Sequence, residues 1–127
     1  MAADDVILGA ELAGLIVRFN PDGIVVVDAD GLIRYVNDAA LFLTGWAGSD
    51  LLHQPVETLV PATLRDAHLA HRRDYLLQPH PRPMGAALDL RLLRKDGGTV
   101  AVEINLAPVT MARGNFIIAT VRRRLRA

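Results

Sequence analysis

The hydrophobic and polar positions of the chain alternate between helical and strand-like periods. Residues 6–18 are apolar nearly all round at helical spacing, so they predict a short helix that needs a second surface to bury against. Residues 24–28 are a continuous β-branched run, which is typical of a central strand. The turn residues at 28–31 then predict a hairpin with a second strand over 32–36.

The middle of the chain is predicted to be helical. Asn37 is the N-cap of a helix over 39–44, and Gly45 ends that helix. Pro61 opens a longer helix, because a missing N–H costs nothing at the first helical position. That helix extends to about residue 77, where prolines follow at alternate positions. Shorter helical turns are predicted over 48–52 and 56–59.

Three strands are predicted to close the chain. Residues 86–94 and 99–109 alternate in polarity and are joined by a tight turn at 95–98, and residues 116–121 form the last strand. This order of elements predicts an α+β fold, one five-stranded antiparallel sheet with helices on one face. The space between the sheet and the long helix is then the natural ligand site.

Composition limits the possible functions. The 127 residues suit one domain, and 14 basic against 14 acidic residues argue against nucleic-acid binding by bulk charge. The absence of cysteine excludes disulfides, thiolate metal sites and cysteine photochemistry. No apolar run is long enough for a membrane span, and we expect a cytoplasmic protein or a piece of one. Ser49 is the only serine and lies in a loop without a histidine–carboxylate relay, so we do not expect an enzyme.

The long helix contains two histidines that carry the candidate chemistry. His68 and His71 are three residues apart and therefore share a helix face with Leu64 and Tyr75. A histidine on a helix that lines a pocket can ligate a metal or a heme iron, and only one of the two can lie under an iron. Both could instead pack at the helix edge, and a zinc site would need a third ligand that the sequence does not show.

Several short motifs resemble those of a PAS domain. They are Pro21-Asp-Gly-Ile-Val-Val-Val-Asp28, Asp30-Gly-Leu-Ile-Arg-Tyr-Val-Asn37-Asp-Ala-Ala40, Leu43-Thr-Gly45, and Arg94-Lys-Asp-Gly97 before Val102-Glu-Ile104. The resemblance covers about residues 12–123. It implies a PAS fold and a sensory or regulatory role in signal transduction, with an output domain in the same or a partner protein, as in a two-component system.

A narrower resemblance is to the heme-binding PAS sensors of the FixL type. Counting back from Gly85, His68 matches the histidine that ligates the heme iron in that subgroup. Arg82 matches a basic residue near a heme propionate, and Ile104 and Leu106 match aliphatic residues over the distal face. The residues that this resemblance assigns to a heme b site are His68, Tyr75, Arg82, Met84, Leu88, Ile104 and Leu106, with His68 as the metal ligand.

Two positions depart from that subgroup. Leu88 stands where the subgroup has a distal arginine, so bound O₂ would lack a charge-assisted hydrogen bond. Asp74 stands where an arginine on the propionate side is expected, although Arg72 and Arg73 are nearby. An apolar distal pocket favours CO or NO, or a redox role for the iron. The alternative is a cofactor-free PAS module for dimerisation or binding of a small metabolite.

The two ends of the chain suggest contacts with partners. We divide the chain into a flanking helix, residues 1–18, and a PAS domain, residues 19–123. The apolar residues of the helix predict a homodimer seam, and the alternative is that this helix covers the open face of its own sheet. The basic end, residues 122–127, is interpreted as a solvated strand end or a linker helix, and the alternative is a contact with an acidic partner or lipid.

Overall fold

The fold is that of a computed structural model, which describes residues 3–84 and 89–125, with side chains for 8–81 and 89–125. The α-helices are α1 (Ala3–Phe19), α2 (Asp38–Thr44), α3 (Gly48–Leu51) and α4 (Arg65–Leu77), and 3₁₀ helices cover Val56–Leu59 and Ala62–Leu64. The strands are β1 (Gly23–Asp28), β2 (Ile33–Val36), β3 (Arg82–Met84), β4 (Leu90–Leu93), β5 (Thr99–Met111) and β6 (Gly114–Arg123).

All strand pairs of the described chain are antiparallel, in the order β2–β1–β6–β5, and both β3 and β4 pair with the far side of β5. Since β3 and β4 follow one another along that edge, the sheet has five strand positions. The predicted five-stranded antiparallel sheet is therefore confirmed.

The third strand differs from its prediction. Residues 82–84 were read as part of a proline-rich stop, but they pair with residues 104–106 of β5 as β3. Pro83 is compatible with this position because a strand at a sheet edge does not need every N–H for its ladder. The described part of the predicted strand 86–94 forms β4, and residues 85–88 lie outside the described chain.

The core lies between the sheet and the short helices. The inward faces of β1, β5 and β6 contribute Val25, Val102 and Val121, which pack with Leu51 of α3 and Leu59 of the first 3₁₀ helix. The internal cavity among these residues measures about 10 Å³. A void of that size holds at most one water, so the central core is closed.

Asn37 joins three elements at one end of the core. Its side chain accepts from the backbone N–H of Ile24 at 2.8 Å and of Ala40 at 3.1 Å, and it donates to the carbonyls of Val17 at 2.8 Å and Asp22 at 3.0 Å. The residue is 1% exposed. The predicted N-cap is thus also the residue that fixes the end of α1 to β1 and α2.

Helix α1 extends from that anchor with its apolar side uncovered. Leu8, Leu12, Leu15 and Phe19 are between 47% and 65% exposed, so α1 does not bury this stripe against its own sheet. The end of the helix is held by Asn37 and by an ion pair of Arg18 with Asp38 at 3.6 Å. Within the described ranges, no helix has both the length and the apolarity needed to cross a membrane.

Candidate functional site

Glu57 forms the centre of a charged cluster on the inner side of α4. The Nδ1–H of His68 donates to Oε2 of Glu57 at 2.7 Å. Arg72 donates to the same carboxylate twice, from Nε at 3.2 Å and from Nη2 at 3.1 Å. The Glu57 side chain is only 13% exposed. A carboxylate so placed orients both the imidazole and the guanidinium.

The pairing determines which ring nitrogen of His68 is left for a ligand. An ionised carboxylate can only accept hydrogen bonds, so the proton of a neutral His68 imidazole lies on Nδ1. The lone pair is then on Nε2, which no hydrogen bond among the described residues engages. Histidines that ligate metals commonly donate their other N–H to a carboxylate in this way.

Two arginines fix α4 to the segment that contains Glu57. Arg65 donates from Nε to the carbonyls of Glu57 and Val60, each at 3.0 Å. The guanidinium of Arg72 lies directly over Gly31, where an added Cβ would come within 2.3 Å of it. Because Gly31 also has a φ of +83°, both backbone conformation and close approach favour glycine there. The histidine helix is thereby tied to the β1–β2 turn.

Tyr75 holds the other end of α4. Its side chain is buried, and its hydroxyl donates to the carbonyl of His80. His80 itself is exposed, and its Nδ1–H donates to the carbonyl of Gln78 at 2.9 Å. These contacts hold the loop after the helix in place. The cofactor contact assigned to Tyr75 by resemblance stays a prediction.

The remaining predicted site residues lie on the β3–β5 edge. The backbone register pairs Arg82 with Leu106 and Met84 with Ile104, so these four residues occupy neighbouring positions. Ile104 and Leu106 are half-buried, and Ile104 packs against the core. The prediction for Leu88 falls outside the described residues, as do the side chains at 82 and 84. His71 is exposed on α4, and the side chain of His68, although paired with Glu57, is itself 39% exposed.

Glu57 was not found by sequence reasoning. It lies in a 3₁₀ helix eleven residues before His68, and because the two residues belong to separate helices, no shared helix face relates them. The only local signal is a single acidic residue in an otherwise apolar and hydroxyl-bearing run, Val56-Glu-Thr-Leu59. The turn between the helices brings the two side chains together.

The comparisons with known proteins agree with this fold. The family model described as the PAS fold matches residues 11–124, and the chain belongs to the PAS family. It is similar to the solved PAS domain of an HTR-like protein from Haloarcula marismortui, with a TM-score of 0.73 and 23% identity over 93% of this chain and 99% of that one. The chain therefore has the PAS fold that its motifs predicted.

Two curated relatives are also similar to this chain in sequence. "Sensor protein FixL" of Bradyrhizobium diazoefficiens is 26% identical over 102 residues, which are 80% of this chain and 20% of that protein. "Oxygen sensor protein DosP" of Escherichia coli is 26% identical over 103 residues, 81% of this chain and 13% of that protein. The chain thus spans a fifth or less of the length of these relatives.

Proposed function

We propose that this PAS domain is a heme sensor in which Nε2 of His68 ligates the iron. The observation that carries the proposal is the hydrogen bond between His68 Nδ1 and Glu57, which orients the imidazole and leaves Nε2 as the donor. The likeness to FixL and to a protein named as an oxygen sensor supports it.

The other residues of the site fit such a cofactor in chemical type. Arg82 is a cation suited to a propionate, and it pairs in register with Leu106. Ile104 and Leu106 offer apolar side chains, and Met84 and Leu88 are also apolar. Heme supplies, when bound, an iron whose ligand or oxidation state changes with the signal. Because Leu88 stands where a distal arginine is expected, CO, NO or redox state suits the pocket better than tight O₂ binding.

The sheet offers a route for the signal. Strand β5 pairs with β3 at the proposed site and with β6 along its length, and β6 ends at Arg123. A change in packing at the site would shift the balance between two arrangements of this edge and reach an output domain through β6 or α1. We propose a larger cytoplasmic signalling protein, such as a two-component sensor, with residues 1–18 as flanking helix and 19–123 as the PAS domain.

The closed core favours a second candidate, a cofactor-free PAS module that binds partners or a small metabolite. The internal cavity of about 10 Å³ is far below the roughly 300–1,000 Å³ of typical ligand pockets. Of the residues assigned to heme, those whose side chains are described (His68, Tyr75, Ile104 and Leu106) do not line that cavity. In this candidate, the Glu57 cluster serves only to fix α4 to the rest of the fold.

A heme titration separates the two candidates. For the heme sensor, absorbance at the Soret maximum is expected to rise until one heme per chain is bound, and the unfolding temperature to rise with heme concentration because the ligand stabilises the folded state. Unsaturable binding with an unchanged unfolding temperature would favour the cofactor-free module.

We also propose that the domain forms a homodimer through α1. Its stripe of Leu8, Leu12, Leu15 and Phe19 recurs at i, i+4, i+7 and i+11, and it is exposed. Contiguous exposed apolar surface of this kind usually marks an interface.

The dimer predicts a face-specific effect of charge on α1. Leu12→Glu is expected to raise the dimer dissociation constant at least about tenfold, since it places a carboxylate within the apolar seam. Ala10→Glu, on the opposite side of the helix, is expected to leave it within about threefold of wild type. Sedimentation equilibrium measures both, and equal effects of the two variants would exclude the stripe as the seam.

A further inference from the structure

A groove of about 320 Å³ lies where α2 meets the end of β6. Its apolar lining includes Ala39, Phe42 and Leu43 of α2, Val121 of β6 and Leu125. The side of α2 that packs into the core presents Ala40 and Thr44 instead. Val121 and Leu43 also contact the core, so the part of the groove that is open to a partner is formed by Phe42 and Leu125.

Two large apolar side chains of the groove are open to water. Phe42 is 90% exposed and Leu125 is 81% exposed. Aromatic side chains are enriched in the buried centres of protein interfaces, where they contribute much of the binding energy. Phe42 is thus suited to be the anchor of an intermolecular contact.

The rim of the groove is positively charged. Arg122 donates to Asp22 at 3.1 Å, and this hydrogen bond with the nearby carboxylate raises the pKa of Arg122 above its usual range. Arg123 is exposed, and none of the ion pairs within the described ranges includes it. The groove therefore offers one unpaired cation beside an apolar floor, which suits an apolar helix that carries an acidic residue.

Helix α1 is an apolar helix that carries an acidic residue beside its exposed stripe. Glu11 flanks the exposed stripe of Leu8, Leu12 and Leu15, and it takes part in no ion pair of the described chain. The stripe ends at Phe19, two residues before Pro21, which lines the groove. One chain thus offers both an apolar helix face and an apolar groove, the two surfaces that a two-fold symmetric interface of this kind needs.

We infer that in the homodimer α1 of each copy docks its apolar stripe into the α2–β6 groove of the other copy, with Glu11 facing the partner's Arg123. This rests on the dimer proposed above and adds the acceptor surface. Each contact occurs twice in such an interface. A substitution on either side is therefore expected to change the free energy of dimerisation by twice the contribution of one contact.

Reversal of charge tests the proposed ion pair between Glu11 of one copy and Arg123 of the other. In sedimentation equilibrium of the whole chain, Arg123→Glu and Glu11→Arg are each expected to raise the dimer dissociation constant about tenfold, because each places like charges together twice. The double variant Glu11→Arg with Arg123→Glu is expected to recover to within about threefold of wild type.

The apolar floor of the groove is tested separately. Phe42→Ser is expected to raise the dissociation constant about tenfold or more. Leu77→Ser, at a residue of α4 that is 81% exposed, is the matched control and is expected to leave it unchanged.

The outcomes separate the groove from the dimer itself. If Leu12→Glu weakens the dimer but Phe42→Ser and Arg123→Glu do not, the docking of α1 into the groove is contradicted. The dimer would then be formed by two α1 helices that pack against each other. A wild-type chain that stays monomeric would overturn both, and the groove would then be available to another segment. Recovery in the double charge variant supports the docking proposed.

Discussion

Replacement of Asn37 by alanine is expected to lower the free energy of unfolding by about 3–5 kcal/mol, because four backbone groups lose their partner in a buried site. The side chain is 1% exposed, so water cannot take over its hydrogen bonds without opening the structure. The N–H groups of Ile24 and Ala40 would be left unsatisfied.

Urea unfolding at neutral pH measures this effect, with Asn105→Ala as the control. Asn105 is exposed on β5, and its truncation is expected to change stability by less than about 0.5 kcal/mol. Asn37→Asp is informative as well, since a carboxylate keeps the two accepted bonds but cannot donate to Val17 or Asp22. A loss below about 1 kcal/mol for Asn37→Ala would show that the amide does not hold α1, β1 and α2 together.

Glu57→Gln is expected to reduce stability and heme affinity together. The neutral amide leaves Arg72, whose side chain is 15% exposed, without its charge partner. Fully buried pairs lose about 3–5 kcal/mol when one partner is removed, and partial exposure reduces the expected loss here to about 2 kcal/mol. Heme affinity is expected to fall at least about tenfold, since outer residues that orient a ligating histidine typically contribute 10–100-fold.

Urea unfolding of the heme-free chain measures the change in stability, and heme titration measures the change in heme affinity. Glu103→Gln, on β5, is the control for both. If the domain is a cofactor-free module, Glu57→Gln is still expected to lower stability, but no variant is expected to bind heme specifically. A variant with reduced stability but an unchanged heme affinity would show that Glu57 fixes α4 without orienting His68.

Much of the fold could be predicted because local patterns and the packing agree. The β-branched run at Ile24–Val27 forms the central β1, and the alternation after Thr99 forms β5. Gly45 ends α2 in the left-handed conformation, as its position predicted. In each case the residue type that favours the local backbone conformation is also the one that suits its place in the fold.

The differences arise where distant contacts override a local signal. Pro83 was expected to help end the long helix, and the sequence did not show that it would also lie in a strand, where pairing with Asn105 at an edge leaves its missing N–H without consequence. Asn37 was predicted as a helix cap, yet its bonds to Val17 and Asp22 depend on how α1 returns to the sheet. Such contacts have no periodicity in the sequence that could reveal them.

The candidate site was predicted in part. His68 was selected by its spacing from Gly85, and the structure places it against a carboxylate on the inner side of α4. The roles of Glu57 and Arg72 could not be foreseen, because the 3₁₀ segment and the β1–β2 turn bring them together. The same holds for the groove at Phe42, which forms only when β6 ends beside α2.

The most direct test of the heme proposal is the absorption spectrum of the heme-reconstituted chain, compared for wild type, His68→Ala and His71→Ala. The two variants remove histidines from the same helix, and His71 is exposed. We expect a sharp Soret band in wild type and His71→Ala that is lost in His68→Ala, because His68 is the histidine of α4 whose Nε2 is oriented by the bond to Glu57. A Soret band that is unaffected by His68→Ala, or the absence of a specific band in wild type, would contradict the proposal.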